Sequence, residues 1–409
     1  MARIVVLGGG GGVGGVAARA LATAEEVTQL VVADSRLDAA RSTIGSLPEG
    51  TAATACEVDA ASPESLAAVL AGADVALNCV GPFYRFGPPV LRAAIEAGVN
   101  YVDVCDDLAP TRVMLELHAE AERRGVSCLV GMGNSPGLAN VLVKLCADQL
   151  LESVDEVDIF HIHGGEESEG PAVIKHRIQA MIDPVPLFLD GEMIEVQQLG
   201  PDGEAHTQQV DFPGVGSSPV YPYPHPETIT LPQHIPGLRH ATNKGAIFPL
   251  SYFALTQEMV RVGACTTSPI EVNGASVIPI EFSVAHILSR RAELLKQAGV
   301  QGAAGCLKVI VRGLNAGERQ SFTFSLSSRS SGAGEGTGIP AAAGAVMMAL
   351  GQVAGPGVLP PEAAVSPLPL LMRALKMADA LGAGVGESTK IEITREDAQG
   401  HLTQIPLPF

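Results

Sequence analysis

Residues Gly133-Asn134-Ser135-Pro136-Gly137 fit G-x-S-x-G. After an apolar run and before a helical pattern, those residues can form a hydrolase nucleophile elbow. An elbow needs the backbone N–H of the residue after the nucleophile as an oxyanion donor. Here that residue is Pro136, which has none. The stretch reads instead as a helix start, with Ser135 as N-cap and Pro136 in the first turn. Asn134, Ser135 and Pro136 would then line a substrate crevice at the carboxyl end of a strand.

A second loop, "VLGGGGGVGGVAARAL", offers G-x-G-x-x-G in two registers, Gly9-Gly11-Gly14 and Gly10-Gly12-Gly15. It follows an apolar run and opens a helical pattern, and Asp34 lies twenty residues beyond Gly14. That context belongs to a dinucleotide fingerprint. Glycines let the backbone approach a pyrophosphate, held at a helix N-terminus that Gly12 and Val13 begin. Asp34 would accept hydrogen bonds from the adenosine ribose and favours NAD. Arg36, just past Ser35, could instead neutralise the 2′-phosphate of NADP, so the cofactor is expected to be NAD or NADP. Asp59 closes the third strand, within reach of an adenine edge. Asn78-Cys79-Val80-Gly81-Pro82 closes the fourth, where the nicotinamide half should lie.

Further polar groups follow. Asp106 and Asp107 come just after the fifth strand. A carboxylate there could bind an ammonium or act as a base, its pKa raised by its like neighbour; the competing reading is a helix N-cap. His161 and His163 share one strand face, with Glu166 and Glu167 beyond. That pair lacks a third well-spaced ligand, and no metal is expected. Tyr221, Tyr223, His225 and His240 accompany Arg177, Arg239 and Lys244 in the middle of the chain. From this set, with His163, we expect groups that hold a substrate carboxylate.

These residues need elements to place them. Up to "SCLVGM" the chain alternates short apolar runs with helical stretches, the pattern of a doubly wound parallel sheet. Beyond about residue 150, "EVDIFHIHG", "EMIEVQQLG", "LKVIVRG" and "QSFTFSLSS" suggest antiparallel strands, the last two flanking a hairpin turn. The Pro-, Tyr- and His-rich stretch from Pro213 to Pro249 suggests a long irregular loop. "IPAAAGAVMMALGQV" is too short to span a bilayer, and its small residues suggest close packing on another element. The expected domains are 1–135 (dinucleotide binding), 136–338 (α/β, substrate and dimerisation) and 339–409 (packing back on the first).

The 409 residues are 46% hydrophobic and 17% charged, and Lys+Arg 26 against Asp+Glu 44 leaves a net charge of −18. A surface that negative repels phosphate backbones and anionic lipid, so neither nucleic acid nor membrane is an expected partner. Seven scattered cysteines without C-x-x-C suit a reducing compartment better than a disulfide framework. "MARIVVLGGG" shows no signal-peptide pattern, and a cytoplasmic location is expected.

Taken together, "VLGGGGGVGG", "VVADSR", "ALNCVGPFYRFGPPVLRAAIEAGVNYVDVCDD", "GMGNSPGLANVL" and "GIPAAAGAVMMALGQV" with "PGVLPPE" resemble the saccharopine dehydrogenase-like family of NAD(P)-dependent oxidoreductases. The resemblance covers the N-terminal third and a C-terminal block. It implies a Rossmann domain, an inserted α/β substrate domain and C-terminal helices that return to the Rossmann domain. It also implies hydride transfer at the amine or imine carbon of an amino acid or a derivative, by a homodimer. A carbonyl reductase of a specialised biosynthetic pathway and a non-catalytic dinucleotide sensor are the alternatives.

Overall fold

The computed structural model describes residues 2–165, 169–329 and 333–407. Six short strands come first: β1 (Ala2–Leu7), β2 (Val27–Asp34), β3 (Ala53–Glu57), β4 (Val75–Asn78), β5 (Asn100–Asp103) and β6 (Ser127–Leu129). They pair in parallel in the spatial order β3-β2-β1-β4-β5-β6, the Rossmann arrangement. The central strands β1, β2 and β4 are rich in buried apolar residues, many of them β-branched, because both faces are covered. One face carries the helices Pro63–Leu70, Phe83–Ala97 and Leu108–Leu115. The other carries Gly12–Leu21 and Leu138–Leu145.

The middle of the chain adds β7 (Ser153–Gly164), β8 (Pro184–Leu189), β9 (Glu192–Gln197), β10 (Gln208–Phe212), β11 (Gly216–Pro222) and β12 (His240–Phe248). A small hairpin, β13 (Ile270–Val272) and β14 (Ala275–Val277), precedes the long pair β15 (Ala304–Asn315) and β16 (Glu318–Ser328). Ala316 and Gly317 turn that pair with positive φ, as the sequence led us to expect. β17 (Gly357–Leu359), β18 (Thr389–Glu396) and β19 (Leu402–Ile405) complete the strands described. The second sheet is ten-stranded, with the path β10-β11-β12-β7-β15-β16-β18-β19 and β8 and β9 off it.

Three sequence expectations need correction here. Residues 213–249 are not one irregular loop, because β11, the helix Glu227–His234 and β12 order most of them. The second sheet is not purely antiparallel, since β12 runs parallel to β7, pairing Gly245 with His161. The C-terminal stretch divides between the sheets. β17 pairs with β6, whereas β18 pairs with β16 and β19 with β18. The alternation in "TKIEITRE" buries one face of β18 and so carries it to the second sheet.

The helix Ala333–Ala349 locks the two layers together. Close approach explains its small residues: a Cβ on Gly338 would lie 2.7 Å from the carbonyl oxygen of Val13. One apolar core therefore runs from Ile4 and Val6, through Val16 and Val346, to Val157, Val309 and Phe324 on the second sheet. Among the described residues no helix is long and apolar enough to cross a membrane.

Candidate active site

The glycine loop shows which of its registers the fold uses. A Cβ on Gly14 would lie 2.2 Å from the carbonyl oxygen of Gly8, so the helix Gly12–Leu21 crosses β1 only with glycine there. A Cβ on Gly15 would meet nothing closer than 3.6 Å. Of the two candidate last glycines, the fold thus needs Gly14 and not Gly15. Gly9 is buried beneath the loop, while Gly11 and Gly12 are exposed at the helix N-terminus, with no atom within 4 Å of a Cβ on Gly12. That open, N–H-lined cradle fits a pyrophosphate. Asp34, buried at the end of β2, accepts from the backbone N–H of Gly10 and of Arg36, each at 3.0 Å. Ser35 and Arg36 are exposed beside it, the Arg36 Nε 3.9 Å from the carboxylate. Asp59 closes its own turn by accepting from Ala61 N–H at 2.8 Å.

The strand ends next to the loop are set by a buried relay that the sequence did not reveal. Asn78 accepts from Val80 N–H at 3.0 Å and donates to the Tyr101 hydroxyl at 2.9 Å. Tyr101 donates to Asp103 at 2.9 Å, and Asp103 also accepts from the N–H groups of Cys105 and Gly131. Burial pushes the Asp103 carboxyl up to about 6 against the pull of those donors. Asn78 therefore shapes its loop from within, leaving Cys79, Gly81 and Pro82 to face outward.

Those three residues open onto a cavity of about 780 Å³ between the sheets. Val13, Asp106, Asp107, Asn134 and Ser135 contribute from the first domain; His161, His163, Arg177, Tyr223 and His225 from the second. Period-two alternation puts His161 and His163 on the face of β7 shared with Val157 and Ile159, which looks toward the first domain. Gly245, opposite His161, makes room for its ring: a Cβ there would lie 2.0 Å from it. His161 stacks on His225 at 5.2 Å between centroids and meets Tyr223 edge-on at 5.1 Å. Burial, then the neighbouring His225 and His163, hold its pKa well below the usual histidine value.

Asp107 stands at the N-cap position of Leu108–Leu115, yet its side chain does not cap the helix. It faces His176, a residue missed from sequence, whose Nδ1 lies 3.1 Å from its Oδ1, with Asp106 at 4.0 Å from Nε2. Burial opposes charge on that ring, but the bond to Asp107 and the two carboxylate charges outweigh it, raising His176 to about 9. Asp106, Asp107 and His176 also lie close enough together to share a metal ion. A protonated His176 bonded to Asp107 accounts for the same geometry. Of the histidine–glutamate pattern considered for a metal, Glu166 and Glu167 lie outside the described residues.

Arg177 is buried in an ion pair with Glu169, which Tyr252 also bonds at 2.6 Å and Arg291 approaches at 3.4 Å. Arg177 Nη1 has no hydrogen-bond partner among the described residues. Two expected ligands fall away. Arg239 is exposed and donates to the Asp190 carbonyl, and Lys244 points to Gln208 at 2.6 Å; neither lines the cavity. Alternation explains Lys244, since its neighbour Asn243 takes the inward face of β12.

Ser135 is not the helix cap. The helix it precedes begins at Leu138 with Gly137, at φ 123°, in the N-cap position. The tight turn in which Gly133 N–H donates to the Pro136 carbonyl displaces Ser135 from that position. Its hydroxyl donates instead to the fully buried Glu227 and accepts from Asn243 at 3.2 Å. His225 Nδ1 lies 3.5 Å from both Ser135 Oγ and Glu227 Oε2. A catalytic triad engages opposite nitrogens of its histidine; here serine and acid meet the same one.

A Rossmann sheet with an open glycine cradle, feeding a cavity walled by acid and base groups, defines a dinucleotide-dependent oxidoreductase. Residues 4–129 match the family described as saccharopine dehydrogenase NADP binding domain. The chain is 25% identical over 375 residues to carboxyaminopropylagmatine dehydrogenase of Synechocystis sp., covering 86% of this chain and 90% of that protein. It is 32% identical over 111 residues to the saccharopine dehydrogenase-like oxidoreductase of Homo sapiens, covering 27% and 26% of the two. Its fold matches apo saccharopine dehydrogenase (L-Glu forming) of Saccharomyces cerevisiae with TM-score 0.65 at 17% identity, covering 96% of this chain and 100% of that one. The chain is thus similar to saccharopine dehydrogenase-like oxidoreductases, in its dinucleotide-binding part by family match and over most of its length by a relative at 25% identity.

Proposed function

We propose that this enzyme transfers hydride at the amine or imine carbon of an amino acid or a compound derived from one. The observation that carries the reading is the cavity itself, which Val13 of the glycine loop, the His176–Asp107 pair and Arg177 all line. The full-length relative, whose printed name makes it a dehydrogenase of carboxyaminopropylagmatine, supports it. Bound nicotinamide supplies or accepts the hydride.

The chain's residues do the rest. Gly11, Gly12 and Val13 bind the pyrophosphate, with Gly9 and Gly14 allowing the approach. Asp34, Ser35 and Arg36 meet the adenosine ribose, Asp59 the adenine edge, and Cys79 to Pro82 the nicotinamide half. Arg177 holds a substrate carboxylate through Nη1. His163, Tyr223, Asn134, Ser135 and Pro136 shape the pocket around the substrate. His176 gives a proton to the substrate nitrogen in reduction, and the His176–Asp107 pair receives it in oxidation. Asp106 keeps that pair charged.

Asp34 favours NAD, and Arg36 leaves NADP open. A cytoplasmic location fits the free state of each of the seven cysteines. A homodimer fits the exposed Val262, Ile270, Val272, Ile278 and Phe282 on the second domain. The test is an amino acid and amine panel with NAD⁺ and NADP⁺ at alkaline pH, read as formation of reduced cofactor. Turnover of simple alcohols or ketones with no turnover of amines would favour the carbonyl reductase. Cofactor binding with no turnover of either would favour a sensor.

A further inference from the structure

We propose that the cavity contains an apolar lobe that selects an amphipathic substrate, one whose reacting head carries an uncharged aliphatic or aromatic tail. Only the nature of the head rests on the amine reading above; the lobe rests on its own lining. Leu142 comes from the helix Leu138–Leu145, and Leu371 and Ala374 from Pro367–Ala380. Strand register supplies the floor. Phe324 pairs with Ile393 and Leu326 with Ile391 across β16 and β18, so all four stand on the cavity face.

The polar groups stand elsewhere along the wall. His161, His163, His176 and Arg177 belong to β7 and to the helix Pro171–Ile182, while Asp106 and Asp107 follow β5. The cavity therefore sets hydrocarbon from β16, β18 and two helices beside its cationic and acid–base groups, with Ser327, Ser328, Thr389 and Glu335 also in the lining. Protein interiors normally fill such hydrocarbon-walled space to close packing, and ligand pockets are the usual exception. A tail bearing an ammonium or guanidinium would lose its hydration among Leu142, Leu326, Leu371 and Ile391, whose own side chains offer no charge to replace it. Arg177 Nη1, buried without a partner among the described residues, fixes the orientation with an anionic head toward it.

The probes are butanoate, hexanoate, octanoate and decanoate, titrated calorimetrically into the full-length protein in the presence of NADH. Burial of hydrocarbon should tighten binding about fourfold per methylene until the lobe is full. 8-Aminooctanoate should lose the gain that octanoate shows over butanoate. Ala374→Phe, which fills the lobe, should abolish the increments beyond hexanoate. Ile391→Ala, which enlarges it, should extend them, and circular dichroism checks that each variant folds. Affinity independent of chain length, or equal binding of octanoate and 8-aminooctanoate, would overturn the proposal. If the carboxylates follow the series but no amine is turned over, the amine reading fails and the lobe stands. If amines are turned over with no regard to their tails, the lobe fails and the amine reading stands.

Discussion

Ser135→Ala separates a structural hydroxyl from a helix cap and from a nucleophile. In the structure the hydroxyl donates to Glu227, a fully buried carboxylate whose Oε2 has no hydrogen-bond partner among the described residues. Without the hydroxyl, the Oε1 donor left is Asn243 at 3.4 Å. A hydrogen bond to a charged group is worth ~1.5–3 kcal/mol, and the lost acceptor for Asn243 adds ~0.5–1.5 kcal/mol. The expected cost is therefore about 2–4.5 kcal/mol, against about 1 kcal/mol for a lost cap. Glu227→Gln removes the buried charge, so in that background the serine should matter less, with a coupling of about 1–2 kcal/mol. Urea unfolding of wild type, both single variants and the double variant gives these numbers by far-UV circular dichroism, the suitable probe for a chain with no Trp. A fluorophosphonate should leave the wild type unlabelled. A cost of 1 kcal/mol or less, additive with Glu227→Gln, would refute the buried-network reading; labelling at Ser135 would revive a nucleophile.

Gly11→Val places a side chain on the open side of the cradle, where a Cβ meets only the Gly8 carbonyl oxygen at 3.3 Å. It should keep the fold and abolish calorimetric NADH and NADPH binding, and unchanged affinity would contradict the role given to the loop. Asp34→Ala should weaken NAD more than NADP, whereas Arg36→Ala should weaken NADP selectively by ~1.5–3 kcal/mol. Equal losses for both cofactors in both variants would remove the assignment. His176 has a folded pKa near 9, raised above the unfolded value of about 6.5, so its stabilisation is present below pH 6.5 and is lost as pH rises through 9. Wild-type stability should fall over that window more steeply than that of His176→Gln, and parallel curves would show that the pair with Asp107 is not charged.

Local patterns carried the first sheet. β-Branched runs, a glycine loop and Asp34 at the right distance describe one βαβ unit, and adjacent units pair by short connections. The same locality placed His161 and His163 on one face, because β7 alternates strictly. What stayed hidden depends on contacts distant in sequence. His176 gains meaning only through Asp107, and Glu227 through Ser135. Gly245 looks like any strand glycine until β12 is paired with β7, and then it is the space for the His161 ring. Ser135 misled because S-P before a helix is a good cap signal. The turn closed by Gly133 and Pro136 moved the cap to Gly137. Residue type alone points to Arg239 and Lys244; exposure decides against the first and pleat direction against the second.

Hydride transfer to a carbon that bears nitrogen leaves an isotopic signature. It is tested most directly by running the reductive direction with cofactor deuterated at the nicotinamide C4 position, supplied with an α-keto acid and an amine. A secondary amine carrying deuterium on the carbon bonded to nitrogen should form, with matching loss from the cofactor. Deuterium recovered in an alcohol, or retained in the cofactor while it stays bound, would contradict such transfer.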